Sequence, residues 1–306
     1  MLAEPDSIIK HLAGQGYICN KNIATAVYLA DRIDKPVLVE GPPGVGKTEL
    51  ARALAAITER ELVRLQCYEG LDEAKSIYEW KYGKQLLYTQ MLKERIADAI
   101  GDVDSLDAGV EALHGFNDLF FSENFLEPRP LLRALTQPGG AVLLIDEVDK
   151  SDPEFESMLL EVLSDYQVTI PELGSVQADV KPLIILTSNS TREMSEALKR
   201  RCLHLYIPFP DVELERRIVT ARVPEIAEDL LVQLVKFIHA LREMDLKKSP
   251  AISETLDWAR ALTLLNADAL TPELVRSTLN VVLKYQQDIE AVEKEVPKLM
   301  ASSAVN

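Results

Sequence analysis

Lys47 and Thr48 close the run Gly41-Pro42-Pro43-Gly44-Val45-Gly46-Lys47-Thr48. Glycines in such a loop let backbone N–H groups turn inward around phosphate oxygens, and a helix opening at its end adds partial positive charge. Lys47 brings a full positive charge to the β and γ phosphates, and Glu49 follows in the same turn. The Thr48 hydroxyl suits Mg²⁺, which takes oxygen ligands beside phosphates and keeps several waters. Far downstream, Asp146 and Glu147 stand side by side. Asp146 can hold Mg²⁺ through water beside Thr48, and Glu147 can orient or deprotonate the water that attacks a γ-phosphate. Asn189 can touch that phosphate or that water, and the Arg200-Arg201 pair suits an arginine finger. Together these residue types point to binding and hydrolysis of a nucleoside triphosphate such as ATP.

A parallel α/β sheet would present each of these groups at one edge. Val37-Leu38-Val39 precede the glycine loop, and Leu50, Leu54 and Ile57 follow on one helical face, so the loop joins a strand to a helix. Ala141 to Ile145 is apolar throughout, as a strand buried on both faces must be. It delivers Asp146 and Glu147 to the carboxyl edge, where open α/β sheets bind ligands. Leu183 to Leu186 does the same for Thr187-Ser188-Asn189, while Leu62 to Cys67 and Leu203 to Ile207 read as further strands. A helix over about 22–32 is preceded by Tyr17 and Ile18, which either staple this segment to the core or line an adenine pocket.

Several local patterns are more ordinary. Ser151 and Glu154 have capping-box spacing ahead of a core-facing stripe of Phe155, Met158, Leu159, Val162 and Leu163. Gln167 to Ile170 and Ser175 to Gln177 flank Pro171-Glu172-Leu173-Gly174 as a hairpin. Leu71 to Gln90 reads as helical, and its Tyr78, Trp80, Tyr82 and Tyr88 either pack inward or form an exposed contact tip at Trp80 and Tyr82. The stretch 97–117 is acidic, as solvated faces are. Pro208-Phe209-Pro210 breaks the pattern, and everything beyond it is helical. Leu230, Leu231, Leu234, Val235, Ile238 and Leu241 form one stripe, and Trp258, Ala261, Leu262 and Leu265 another. A final helix is expected from Thr271-Pro272-Glu273 to about Ala291. The expected division is therefore 1–209, with an insertion at about 68–125, and 210–306.

The 306 residues, 47% hydrophobic and 27% charged, are those of a globular rather than a disordered chain. No apolar run has the length of a membrane span, and the first residues lack a secretory n-region, so a cytoplasmic location is the expectation. Cys19, Cys67 and Cys202 form no CxxC, and His11, His114, His204 and His239 have no metal-ligand spacing. A net charge of −16 repels phosphate backbones, which disfavours nucleic acid as a partner.

The ordered set GPPGVGKT, VLLIDE, hairpin, LIILTSN and Arg pair, followed by helices, resembles an AAA+ ATPase. YLADRIDKPVLVEGPPGVGKTELARALA, LLEVLSDYQVTIPELG and ALKRRCLHLYIPFP resemble the MoxR branch. EWKYGKQLL, PRPLLRAL and LSDYQVTIPELG look most like its carbon-monoxide-dehydrogenase maturation type. The resemblance runs from about Tyr17 through the C-terminal helices and departs at about 97–117, which is longer and more acidic here. It implies a P-loop core with a five-stranded parallel sheet between helices, then a small all-α lid. Gly41 to Thr48 match the nucleotide loop, Asp146 and Glu147 the Mg²⁺ and catalytic carboxylates, and Asn189 the first sensor. Arg201, or less directly Arg200, matches the arginine finger that reaches a neighbouring subunit, and Arg260 fits the lid's second sensor. Gln66 occupies the place of a polar switch residue. The resemblance further implies a hexameric ring, a partner with a von Willebrand factor A (VWA) domain, and a metalloenzyme client, here a molybdenum hydroxylase. Two other classes compete: a nucleic-acid loader or restriction motor, disfavoured by the acidic balance, and an ATP-binding scaffold without turnover, disfavoured by Glu147 and Asn189 both being present.

Overall fold

The structure, a computed structural model, describes Leu2, residues 4–93 and residues 121–303. The acidic stretch at 97–117 and His114 lie outside the described residues. The chain opens with α1 (Pro5–Gly14), α2 (Lys21–Arg32), β1 (Val37–Glu40), α3 (Lys47–Thr58) and β2 (Glu61–Gln66). Next come α4 (Glu73–Ser76), β3 (Tyr78–Trp80), α5 (Tyr82–Met91), β4 (Leu126–Pro128), α6 (Pro130–Leu135) and β5 (Ala141–Asp146). They are followed by α7 (Pro153–Asp165), β6 (Gln167–Ile170), β7 (Gly174–Gln177), β8 (Leu183–Ser188), α8 (Glu196–Arg201) and β9 (Leu203–Tyr206). The remainder is helical: α9 (Val212–Arg222), α10 (Glu228–Arg242), α11 (Ile252–Leu264), α12 (Pro272–Val282) and α13 (Gln286–Ser303).

Five strands form the expected parallel sheet, in the order β2-β5-β8-β1-β9. Every residue of β5 and β8 is buried, which follows from their unbroken apolar runs and central places. Alternate residues face opposite sides. Val37, Val39, Val142 and Leu144 join α1, α2 and α3 in one core, while Leu38, Leu143 and Ile145 join α6 and α7 in another. This is the P-loop AAA+ fold with a helical C-terminal region, and all the candidate residues on strand ends emerge at one edge.

Five local readings need correction. The helical run expected at Leu71–Gln90 is interrupted by β3, which pairs antiparallel with β4. Its partner lies far along the chain, so local periodicity carries no sign of the pairing. Trp80 is consequently buried and stacks edge-on against Tyr78, whereas Tyr82 stays exposed; the pair is not a common tip. Ser151 does not cap α7: its hydroxyl donates to the Val148 carbonyl, Asp152 holds the cap position, and the Asp152 carboxylate accepts the Gly70 N–H. The last helix is two helices, because Leu283 turns extended after α12 and Asp288, near the start of α13, accepts the Lys247 and Lys248 N–H groups. In α11 the inward residues are Trp258, Ala259 and Leu262, while Leu265 lies beyond its end and is exposed.

The C-terminal helices close over a third core around Leu234, Phe237, Trp258 and Leu279. Trp258 Nε1 donates to Thr278 Oγ1 at 2.9 Å. Beside this core, fully buried Glu215 on α9 accepts both guanidinium arms of Arg242 (2.6 and 2.8 Å), the Thr255 hydroxyl (2.7 Å) and a contact from His239 (2.9 Å). Burial raises the Glu215 pKa, but the His239, Arg242 and Thr255 contacts outweigh it and hold the carboxyl below its ordinary value. Because the folded pKa is depressed, the stability that Glu215 contributes is complete above the unfolded glutamate pKa. It drains away as pH falls through the folded one. Glu215→Ala should cost about 3–5 kcal/mol in urea unfolding at neutral pH, since it strands a buried arginine. The deficit relative to wild type should narrow as the pH is lowered below about 4, following the same linkage.

Candidate functional site

Glycine geometry builds the loop between β1 and α3. Gly41, Gly44 and Gly46 have φ of +150°, +75° and +95°, where side chains are strained. A Cβ on Gly41 would overlap the Ile207 carbonyl, and one on Gly44 would lie 2.6 Å from Ala251 Cβ, so α11 abuts the loop directly. Gly46 caps α3 without a side chain, leaving the first-turn N–H groups free for an anion.

Lys47 is buried and donates to the carbonyls of Gly41 (2.7 Å) and Pro42 (2.8 Å) and to Asn189 Oδ1 (2.8 Å). Burial lowers its pKa, opposed by the charges of Asp149, Asp146 and Glu147. Thr48 Oγ1 donates to Asp146 Oδ1 at 3.1 Å, and Thr187 Oγ1 donates to the same oxygen at 2.5 Å. Glu147 has φ +56°, an unusual conformation for a side-chain-bearing residue, and its N–H donates to Thr187 Oγ1 at 2.9 Å. Its carboxylate accepts from Gln66 (2.9 Å), Lys150 (2.7 Å) and Asn189 Nδ2 (3.3 Å). Lys47, Thr48, Asp146, Glu147 and Asn189 therefore form one bonded constellation.

They line a cleft of about 720 Å³ that also takes in Pro43, Gly44, Val45, Gly46 and Glu49 of the loop. Tyr17 and Ile18 line it as well; Tyr17 is buried, which raises its phenol pKa, so it both packs on the core and faces the cleft. Ile218, Ile252 and Leu256 extend this apolar wall from the C-terminal helices. Arg260 borders the cleft and pairs with Asp257 at 3.3 Å. Gly41 and Pro42 act through their carbonyls on Lys47. Arg200 and Arg201 are not brought to this cleft: Arg200 is exposed, and Arg201 donates to the Ser164 hydroxyl and the Ala197 carbonyl.

The cleft walls carry five basic side chains (Lys47, Arg52, Arg64, Arg222, Arg260) and three acidic ones (Glu49, Asp146, Glu147), in a chain of net charge −16. Such a local reversal of sign suits a polyanion. Among the described residues no group of three or more His, Cys, Asp or Glu could hold a metal alone. Thr48 and Asp146 offer an oxygen-only pair beside Lys47, which fits an ion that completes its shell with phosphate and water.

Sequence reasoning missed Arg64, Arg222, Asp149 and Lys150, and it brought Thr187 to the ligand edge without giving it a role. Arg64 lies two residues from Gln66 on a strand paired with β5, so period-two alternation was the available signal. Arg222 pairs with Glu49 across 173 positions, and nothing local announces that. Asp149 is buried and accepts the N–H groups of Asn189 (3.3 Å) and Thr191 (3.0 Å) and the Thr191 hydroxyl (2.6 Å). Burial raises its pKa, yet these hydrogen bonds prevail and lower it. Asp149→Ala should destabilise the fold by about 1–3 kcal/mol in urea unfolding, because it leaves enclosed N–H groups without an acceptor.

The chain is 25% identical to an uncharacterized protein of Staphylococcus aureus strain USA300 over 75% of its own length and 76% of the relative's. It is 24% identical to an uncharacterized protein of Staphylococcus epidermidis over 84% and 86%. Among solved structures it is similar to the RuvB Holliday junction branch migration motor of Thermotoga maritima, at 20% identity and TM-score 0.46, covering 85% of this chain and 67% of that one. The family description "AAA domain (dynein-related subfamily)" matches residues 36–202, more than half of the 306. With its glycine loop, parallel sheet and carboxylate pair in that segment, the chain belongs to the dynein-related subfamily of AAA domains.

Proposed function

We propose that this protein hydrolyses ATP as a ring of its own copies and spends the energy on remodelling a client. The observation that carries the reading is the meeting of Lys47, Thr48, Asp146, Glu147 and Asn189 in one positively lined cleft. In it the loop of Gly41 to Thr48 and the start of α3 hold the triphosphate, with Glu49 beside them, and Tyr17 and Ile18 flank the adenine. Lys47 neutralises the β and γ phosphates. Thr48, and Asp146 through water, would hold Mg²⁺, which would supply positive charge to the β and γ phosphates. Glu147 orients the attacking water and takes its proton, and Asn189 fixes that water and Glu147 together. Residues 1–209 are the nucleotide-binding core and 210–306 a lid, whose Arg260 reaches the nucleotide as a second sensor.

Arg201 supports the ring. It lies outside its own cleft, at the end of α8, where a neighbouring copy could receive it, with Arg200 as its substitute. A finger supplied in trans makes turnover depend on assembly. The motifs shared with MoxR proteins favour a hexamer working with a VWA-domain partner in the cytoplasm. Those shared with the carbon-monoxide-dehydrogenase maturation type favour metal insertion into, or activation of, a molybdenum hydroxylase.

Phosphate release tests the core of this reading. Glu147→Gln should retain ATP binding while its turnover falls by about 10²–10⁴-fold. Arg201→Ala should lose about 10³-fold or more, and specific activity should fall on dilution as the ring dissociates. Equal turnover by wild type and Glu147→Gln would leave a binding scaffold instead. Glu147→Gln held in ATP should also retain a VWA-domain protein and a molybdenum hydroxylase from native lysate, identified by mass spectrometry. Nuclease-sensitive DNA in their place would point to a nucleic-acid motor.

A further inference from the structure

Asp146 is the most enclosed carboxylate of the cleft, at 4% exposure, and it carries an ion-pair partner of its own. Thr48 and Thr187 occupy Oδ1, and the Arg64 guanidinium lies 2.6 Å from Oδ2. Arg64 reaches it from the neighbouring strand, where Gln66 pairs with Asp146 in register. The same guanidinium nitrogen donates to Gln66 Oε1 at 2.6 Å, and Gln66 Nε2 donates to Glu147 at 2.9 Å. Unlike Asp146, the Arg64 side chain is 45% exposed, so it can leave the carboxylate for water while staying tethered to Gln66.

Asp146, Glu147 and Asp149 all act on Lys47 and on Lys150, and Arg64 pairs directly with Asp146. A divalent cation arriving alone adds two positive charges beside Arg64 and Lys47, and is repelled. The same ion arriving on a triphosphate brings the compensating negative charge with it. We propose that Arg64 is the resident counter-ion of Asp146, keeping a free divalent cation off that carboxylate so that the ion is accepted only together with a polyphosphate. This rests on Asp146 being the cation-holding carboxylate of the proposed ATPase. Arg64 is on this view a positioning residue that orders the loading of the site.

Mn²⁺ alone, titrated without nucleotide into the full chain and followed by the electron paramagnetic resonance of the free ion, tests it. Arg64→Ala and Arg64→Gln should both bind Mn²⁺ at least about tenfold more tightly than wild type, since each removes one charge at contact distance. Arg64→Lys, which keeps the charge, should stay within about threefold of wild type. Adding Asp146→Asn to Arg64→Ala should erase the gain. Circular dichroism of each variant checks the fold, and the Gln variant serves if the Ala variant fails that check. Unchanged or weaker Mn²⁺ binding by folded Arg64→Ala or Arg64→Gln overturns the proposal and leaves the ATPase reading in place. Turnover of ATP by Asp146→Asn at the wild-type rate overturns both.

Discussion

A buried carboxylate at the end of an all-apolar strand is the constraint on which the rest depends. Asp146 follows five buried hydrophobic residues at the carboxyl edge of β5 and is itself almost sealed from solvent. A charge so placed must be compensated. The compensation comes from three directions at once: Thr48 from α3, Thr187 from β8 and Arg64 from β2. Each partner lies on a different element, so satisfying one side chain fixes the glycine-loop helix and two flanking strands against the central one. The same contacts that make the charge tolerable also assemble the cleft.

Around this anchor the polar groups hold each other in place more than they face water. Thr187 serves Asp146 through its proton and Glu147 through its oxygen, and so stabilises the left-handed turn that aims the Glu147 side chain. Asp149, one turn further on, pins the backbone of Asn189 and Thr191. Such satisfied networks are rigid because loss of any member strands the others in a low-dielectric interior. That rigidity is what preorganised electrostatic catalysis requires.

The C-terminal helices contribute by contact with the loop itself. Ala251 and Ser253 close on Gly44, Ile252 inserts into the core beneath α3, and Arg222 reaches Glu49. Glu215 in turn ties α9, α10 and α11 together through Arg242, His239 and Thr255. The glycine loop therefore abuts a set of helices that are cross-linked to one another.

What the sequence determined by itself was whatever obeys short-range rules. The glycine loop, the buried strands 141–146 and 183–188, the hairpin and the helical C-terminal region all follow from local periodicity and turn chemistry, and each appears where those rules put it. Asp146, Glu147 and Asn189 were legible as site candidates because a buried parallel strand can only present its last residues at one edge. Pairings between distant segments were left to the tertiary structure. β3 formed within an apparently helical run because β4 was there to meet it, and the last helix broke in two where Asp288 met the loop at Lys247. Arg64 and Arg222 became part of the site only through carboxylates 82 and 173 positions away. An ion pair depends on where two chains of backbone happen to run, and separation along the sequence carries no record of that distance.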